Sequence, residues 1–483
     1  MLGNRGSNDE ETQSRRPLIP EVTNGGEEGQ EHTRTDTVHG WGSKILDLKE
    51  AKDQIVFVLP MILTNVSYFL VTLIAVMFAG QLGVLQLAGA TLGNSWSTVT
   101  GAAVMIGLSG ALETLCGQGF GAEQYAMLGI YVQACCIISL IFSTIIAVIW
   151  LFTKSIFILL HQSADISSTA AVYMRFSIPG LFAYGLIQNF VRFLQTQSVV
   201  MPLVVISSIP LFVHIGILYA LVNSLGFKGA PIAVSITFWV AILLLALYVT
   251  KSRKFKDTWK GFSFQSFSYV LTVLKLALPS AGMVCLEYWV FEILVFLAGL
   301  LPDPEITTSL IAICVNTEAL AYMISYSMSA AASTRVSNEL GADNPDGAKH
   351  AMGVTLKLSI IPALCFVIAL SFGHGLWVQL FNSSSVIRQE FASMTPLLVT
   401  SILLDTAQCV LSGVARGCGW QHLAVYVNLG TFYFIGLPIS CILGFMTSLT
   451  VKGLWIGVIC GLVCQVTAFI VLIKLGRWKK LSA

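Results

Sequence analysis

Residues 127–152 read MLGIYVQACCIISLIFSTIIAVIWLF, without one Asp, Glu, Lys or Arg. A run this long and apolar exceeds the roughly 20 residues that cross a bilayer core as a helix. Working outward, the chain holds twelve such segments, over 54–82, 89–115, 127–152, 169–191, 201–224, 229–250, 269–300, 306–331, 351–375, 392–414, 422–446 and 452–475. Lipid offers the backbone no hydrogen-bond partners, so these segments must be helices. The reading is an all-α polytopic membrane protein.

Composition agrees. Of 483 residues, 55% are hydrophobic and 11% charged, with a mean hydropathy of +0.79; an ordinary soluble domain carries about 25% charge. The first 50 residues hold 16 of the 52 charges, so the remainder is poorer still. A soluble globular protein is excluded, and a disordered chain does not combine low charge with so much apolar surface. The net charge of +2 and the lack of a basic patch with interleaved aromatics argue against nucleic acid. Most of the 11 cysteines lie inside apolar runs and read as small hydrophobes, so neither a metal site nor a cofactor is expected.

Residues 1–50 read as a disordered polar tail without the apolar region of a signal peptide; the pair Leu18-Ile19 after Arg15-Arg16 has the look of a sorting signal. The connection after the sixth segment carries Lys251, Arg253, Lys254, Lys256 and Lys260, and the C-terminus Lys474, Arg477, Lys479 and Lys480. Positive residues mark the cytosolic side, so both termini are expected there. The expected organisation is a cytosolic tail over 1–50, a six-helix lobe over 51–250, a cytosolic linker over 251–268, a second six-helix lobe over 269–476 and a cytosolic end over 477–483.

The halves repeat. Val58-Leu59-Pro60 is echoed by Ala277-Leu278-Pro279, and Ala79-Gly80-Gln81-Leu82 by Ala298-Gly299-Leu300-Leu301, each 219 residues on. Gly121-Ala122-Glu123-Gln124 matches Gly341-Ala342-Asp343-Asn344, and Phe227-Lys228-Gly229-Ala230-Pro231-Ile232 matches Val451-Lys452-Gly453-Leu454-Trp455-Ile456. With six segments each, both halves begin on one side of the membrane. Parallel repeats of this kind are related by an axis along the membrane normal, with substrate near the midplane between them. A duplicated structural bundle is the other reading; transport is favoured.

Ionisable groups inside spans are costly and default to functional hypotheses. Glu287 lies near the middle of segment seven, Asp405 near the middle of segment ten, and Glu318 with Asn316 in segment eight. Glu292 is about 140° around its helix from Glu287. Desolvation favours the neutral form of such a carboxylate, which suits a group that gains and loses a proton; a packing role tied to a polar neighbour is the alternative. The repeat sets Tyr68 against Glu287 and, within one residue, Tyr184 against Asp405, so midplane carboxylates belong to the second half. The first half offers Asn65, Tyr68, Gln188 and Asn189 for lining or hydrogen bonding. Pro60 and Pro279 fall at equivalent places in segments one and seven. Each removes a backbone hydrogen bond and permits a bend, either as a hinge coupled to Glu287 or as a static kink.

Other patterns are set aside. No phosphate-binding G-x-x-x-x-G-K-[ST] loop points to ATP. Gly107-Leu108-Ser109-Gly110 resembles an intramembrane serine nucleophile site, leaving a hydrolase using Ser109 as a remote alternative; small residues in spans more often let helices approach. No enzymatic activity is expected. Asn382-Ser383-Ser384 is a glycosylation sequon in a loop expected to be non-cytosolic.

Three longer stretches carry a family resemblance: Ala331-Ala332-Ser333-Thr334-Arg335-Val336-Ser337-Asn338-Glu339-Leu340-Gly341-Ala342 after segment eight, Cys285-Leu286-Glu287-Tyr288-Trp289 through Leu300-Leu301-Pro302 in segment seven, and Gly413-Val414-Ala415-Arg416-Gly417-Cys418-Gly419-Trp420-Gln421 after segment ten. From about residue 50 to 475 the chain resembles the multidrug and toxic compound extrusion family, in its plant branch. The resemblance implies two pseudo-symmetric six-helix lobes around a central cleft. It also implies export of organic compounds, often cationic and amphipathic, in exchange for protons, by a monomer in the plasma or vacuolar membrane. Carried over by position, it points to Glu287 and Asp405 for proton coupling, with Asn316 as a hydrogen-bonding neighbour and Pro279 as a hinge; Glu318, Tyr288 and Arg416 are expected beside them as polar neighbours in the cleft, with Asn65, Tyr68 and Gln188. A sodium-coupled or uncoupled exporter of the same architecture is the alternative. Two positions depart from the family pattern: Asp343 stands where glycine is common, and Tyr322-Met323-Ile324-Ser325 lacks an expected proline.

Overall fold

The structure is a computed structural model that describes residues 47–379 and 384–479. The Leu18-Ile19 pair, Asn382 and Ser383 of the sequon, and Lys480 lie outside the described residues. Eleven helical stretches are long and apolar enough to cross a membrane. One of them, Met201–Lys251, is two helices: Gly226, at φ +62°, reverses the chain through a 3-10 turn, and the two halves of the stretch pack on each other. The twelve spans are therefore α1 (Leu48–Gln81), α2 (Val84–Gly121), α3 (Tyr125–Leu151), α4 (Ala164–Thr196), α5 (Met201–Leu225), α6 (Gly229–Lys251), α7 (Ser266–Ala298), α8 (Pro304–Gly341), α9 (Pro345–Gln379), α10 (Ser385–Gly417), α11 (Gln421–Phe445) and α12 (Val451–Leu475).

The helices outrun the apolar windows. The chain expected to be polar tail to residue 50 enters α1 at Leu48, where the Asp47 carboxylate accepts from the amides of Lys49 and Glu50. The stretch Ala331–Gly341, expected after segment eight, is the last part of α8, and Gly413–Gly417 ends α10. At 38 residues α8 is about 57 Å long against a hydrocarbon core of about 30 Å, so its ends carry polar residues without reaching lipid. It runs without an interior proline, as the Tyr322–Ser325 sequence predicts, whereas α1 and α7 carry Pro60 and Pro279 inside. Wider helical turns interrupt α2 at Thr98–Ala102 and α11 at Leu429–Gly436.

The backbone records the duplication independently of sequence. Residues with positive φ pair across the halves at offsets of 220 to 224: Gly83 with Asp303, Glu123 with Asp343, Ser198 with Gly419, and Gly226 with Thr450. This accounts for the family's glycine where Asp343 stands: at φ +55° the position is left-handed, which glycine enters freely and Asp tolerates. The Ser198–Gly419 offset also fixes the register between α4 and α10, so Asp405 answers to Tyr184. The six-helix lobes are not sealed units. The second-half helix α7 packs on α2 and α3, and α1 reaches α8 and α9.

The face bearing the α6–α7 linker is here the linker face. Towards it, four helices are buried on all sides, over 107–119 in α2, 187–196 in α4, 327–334 in α8 and 408–417 in α10. Nearer the opposite face the same helices bury only one side, leaving space between the lobes.

Candidate functional site

That space is a cavity of about 410 Å³ lined by α1, α2, α3, α4, α6, α7, α8, α10 and α11. Eight of the residues singled out by sequence line it: Asn65, Tyr68, Gln188, Glu287, Tyr288, Asn316, Glu318 and Asp405. Glu292 does so as well. Among the described residues its lining contains these four carboxylates and no Lys, Arg or His. Aromatic rings make up much of the rest, with Tyr68, Trp150, Tyr173, Tyr184 and Phe238 from the first lobe and Tyr288, Phe291, Tyr322, Tyr326 and Phe432 from the second.

The acidic corner has a built environment. Glu287 Oε1 accepts from the side-chain amides of Gln408 and Asn428, each at 2.9 Å, and lies 3.5 Å from Gln465 Nε2. Gln465 Nε2 in turn donates to Asn428 Oδ1 at 2.7 Å. Amides from α10, α11 and α12 thus converge on a carboxylate of α7. Glu318 Oε2 accepts from Ser401 Oγ at 2.8 Å, and the Trp455 indole donates to the same hydroxyl. Asp405 interacts electrostatically with both Glu287 and Glu318. Asn316 takes another direction: its amide donates to the Ala312 carbonyl of its own helix, and the neighbour role expected of it is filled by Gln408, Asn428 and Gln465. The pseudo-twofold places Thr98, Tyr68 and Tyr184 opposite Glu318, Glu287 and Asp405, and all six line the cavity.

Arg416, expected in the cleft, does not line it. It lies towards the linker face in a buried ion triad. Glu113 of α2, 1% exposed, has Oε1 3.0 Å from Arg192 Nη1 of α4 and Oε2 3.0 Å from Arg416 Nε of α10. Arg416 Nη2 also donates to Ser329 of α8 at 2.7 Å, and Arg192 Nη1 to Gln195 at 2.7 Å. An aromatic ladder joins this layer to the cavity. Tyr288 meets Tyr322 edge-on at 6.1 Å, Tyr322 stacks on Tyr326 at 5.7 Å, and the Arg192 guanidinium covers the Tyr326 ring at 5.2 Å and donates to its hydroxyl. Sequence reading missed Glu113 and Arg192. Glu113 sits inside the second apolar segment, where the general rule on ionisable residues in spans would have found it.

Beneath the triad the closure is symmetric. Gln118 Nε2 donates to the Gly417 carbonyl at 3.0 Å, and its repeat equivalent Asn338 donates to the Thr196 carbonyl at 3.2 Å. A Cβ on Gly121 would stand 1.9 Å from the Asn338 carbonyl oxygen, and one on Gly341 2.2 Å from that of Gln118. Gly117 touches its own equivalent, Ser337, so the pseudo-axis passes there.

Pro60 and Pro279 lie off the cavity, within α1 and α7. Just beyond Pro279, the backbone of Ser280 and Ala281 lies so close to Gly107 of α2 that a Cβ there would stand 2.4 Å from Ala281 Cα. Ser109 is fully buried and bonds to the Ile106 carbonyl at 2.7 Å. The Gly-x-Ser-Gly pattern is a helix-packing surface.

A family profile described as MatE matches residues 60–220 and 279–442, one block in each half. Among curated proteins, the chain is 59% identical to Protein DETOXIFICATION 18 of Arabidopsis thaliana over 91% of this chain and 94% of that one. It is 42% identical to Protein DETOXIFICATION 16 of the same plant, covering 88% of each. The crystal structure of the eukaryotic MATE transporter AtDTX14 superposes with a TM-score of 0.86 at 35% identity, covering 90% of this chain and 97% of that chain. A transporter of the MOP superfamily from Pyrococcus furiosus shares the fold, with a TM-score of 0.80 at 18% identity over 92% of this chain and 99% of that chain. The chain belongs to the MatE family, the multidrug and toxic compound extrusion transporters, and is a multi-pass membrane protein.

Proposed function

We propose that the protein is a proton-coupled antiporter exporting amphipathic, often cationic organic compounds by alternating access. The observation that carries this reading is the cavity lining: four carboxylates, many aromatic rings and no basic side chain. Rings and carboxylates together favour a cation with an apolar body. Like charges gathered in a low-dielectric corner disfavour full ionisation, the property a proton-exchanging site needs. Glu287 and Asp405 are the exchanging groups.

The basic linker makes the linker face cytosolic by the positive-inside rule, with both termini on that side, in the plasma or vacuolar membrane. The cavity then lies in the outer half, in an outward-facing monomer. With Glu287 and Asp405 ionised, the corner is negative and tied to Gln408 and Asn428. A proton arriving from outside removes that charge and weakens those bonds, α7 shifts about Pro279, and the substrate leaves. Separation of α2 from α8 at the linker face opens the cytosolic route and returns the protons. Each pH unit of gradient supplies about 1.4 kcal/mol per proton.

A sodium-coupled reading draws on one observation: the buried amide oxygens of Gln408 and Gln465 have no hydrogen-bond partner among the described residues, and both side chains adjoin Glu287. The test is uptake of a fluorescent organic cation into proteoliposomes under an imposed pH gradient without sodium, comparing wild type with Glu287→Gln and Asp405→Asn. Gradient-driven transport abolished by both substitutions is the expected result. Variants that transport like wild type overturn the assignment, and transport that follows only a sodium gradient moves it to the second reading.

A further inference from the structure

The α6–α7 linker, residues 252–265, is a folded strap with two unlike sides. Its inner side is fixed to the first lobe. Phe255, 1% exposed, packs its ring against Phe193 and Tyr248, and Trp259 packs against Phe190 and Phe193. The Gln133 side chain of α3 clamps the strap at two points, donating to the Gly261 carbonyl at 2.9 Å and accepting from the Ser263 amide at 2.8 Å. Gly261, at φ +88°, makes the bend that lets one amide hold both groups.

The outer side is basic and aromatic. Lys251, Arg253, Lys254, Lys256 and Lys260 are all exposed, with Asp257 the single acid among them. None of the five forms an ion pair among the described residues. Beside them Phe262 is 93% and Phe264 92% exposed, and Phe264 stacks on Phe267 at the start of α7. Through Phe267 the rings join the outward side of α7, where exposed Leu271, Lys275 and Leu278 follow at helical spacing, a lysine between two leucines. Exposed rings at the foot of a span, carried on a strap whose inner side is fixed and set beside unpaired cations, match the interface of a bilayer: rings at the acyl boundary, cationic groups at headgroup height.

We propose that this strap docks on the bilayer by binding the phosphate-bearing headgroups of anionic lipids in the leaflet on the linker face. The charge complementarity commits the surface to anionic lipid over zwitterionic lipid. Continuity of the strap with the span α7 commits it to the membrane the protein already occupies. The inference stands on membrane embedding alone and is independent of the coupling ion and substrate.

The experiment titrates purified full-length protein in neutral detergent with phosphatidylserine and with phosphatidylcholine carrying the same fluorescent acyl chain, read by anisotropy. Wild type is expected to bind phosphatidylserine more tightly. Combined Lys254→Gln, Lys256→Gln and Lys260→Gln should cut that preference by tenfold or more, at roughly fivefold per lysine. The Lys→Arg triple variant should keep it, which separates charge from a folding defect. Phe262→Ser with Phe264→Ser should weaken both lipids alike. Excess inorganic phosphate should leave lipid binding in place, because it lacks the acyl anchor that the rings hold. Equal affinity of wild type for the two lipids, a glutamine triple variant with its preference intact, or full competition by inorganic phosphate would overturn the proposal.

Discussion

Replacing Gly121 with alanine would set a methyl carbon 1.9 Å from the Asn338 carbonyl oxygen, where ordinary contact begins at 3.4 Å. The obstacle is main chain on a half-buried helix end, so no side-chain rotation relieves it. The ends of α2 and α8 must therefore part by about 1.5 Å, or the closed arrangement must bear the overlap. Overpacking of this kind costs about 1–3 kcal/mol. That cost falls only on the state in which the two ends touch, so the equilibrium should move some 5- to 150-fold towards a state open at the linker face. Spin labels at Glu123 and Asp343, exposed and equivalent tips beside the contact, report the separation by pulsed electron resonance in lipid nanodiscs. A second, longer distance should appear or grow in Gly121→Ala, and Gly341→Ala should reproduce it through Gln118. If both variants give the wild-type distance distribution at unchanged thermal stability, the glycine contact is not what holds this face shut.

Glu113→Gln leaves two guanidinium groups buried with a neutral partner; breaking a buried ion pair costs about 3–5 kcal/mol, so a marked fall in Tm is expected, with Glu113→Asp recovering part of it. Arg335→Gln removes a bidentate bond to Glu50 at 2.9 and 2.8 Å, but Arg335 is 34% exposed and the pair sits at the rim; the loss should stay below about 1 kcal/mol and shrink further in high salt, as denaturation at two ionic strengths would show.

The twelve spans were legible because each contains an apolar window long enough to leave no other fold, and the duplication because short motifs recur in order. Helix ends were not, for a physical reason. Hydropathy falls as Arg192 and Arg416 are approached, and a window reads that fall as a loop, whereas here the helix continues into a protein-filled end whose polar groups satisfy one another. Glu287 and Asp405 stood out as charges in oil. The amide partners of Glu287, namely Gln408, Asn428 and Gln465, did not, since an uncharged amide in a span leaves hydropathy almost unchanged and its partner is set by tertiary packing. The triad joins residues roughly 80 and 300 positions apart, a pairing that no local pattern carries.

The closed end also bears on descent. Residues that meet their own counterparts, as Gly117 meets Ser337, and paired bonds such as Gln118 to Gly417 and Asn338 to Thr196, are what an isologous homodimer interface consists of. The positions matching Glu113, Arg192 and Arg416 are Ser333, Gly413 and Gln195, and those matching Glu287 and Asp405 are tyrosines, so the charged groups have no twins. A half-length ancestor carrying only the shared features would already have closed against a second copy of itself. Two identical chains must carry the same residue on both sides of the axis, whereas two halves of one chain can differ, and here one side holds acids where the other holds tyrosines.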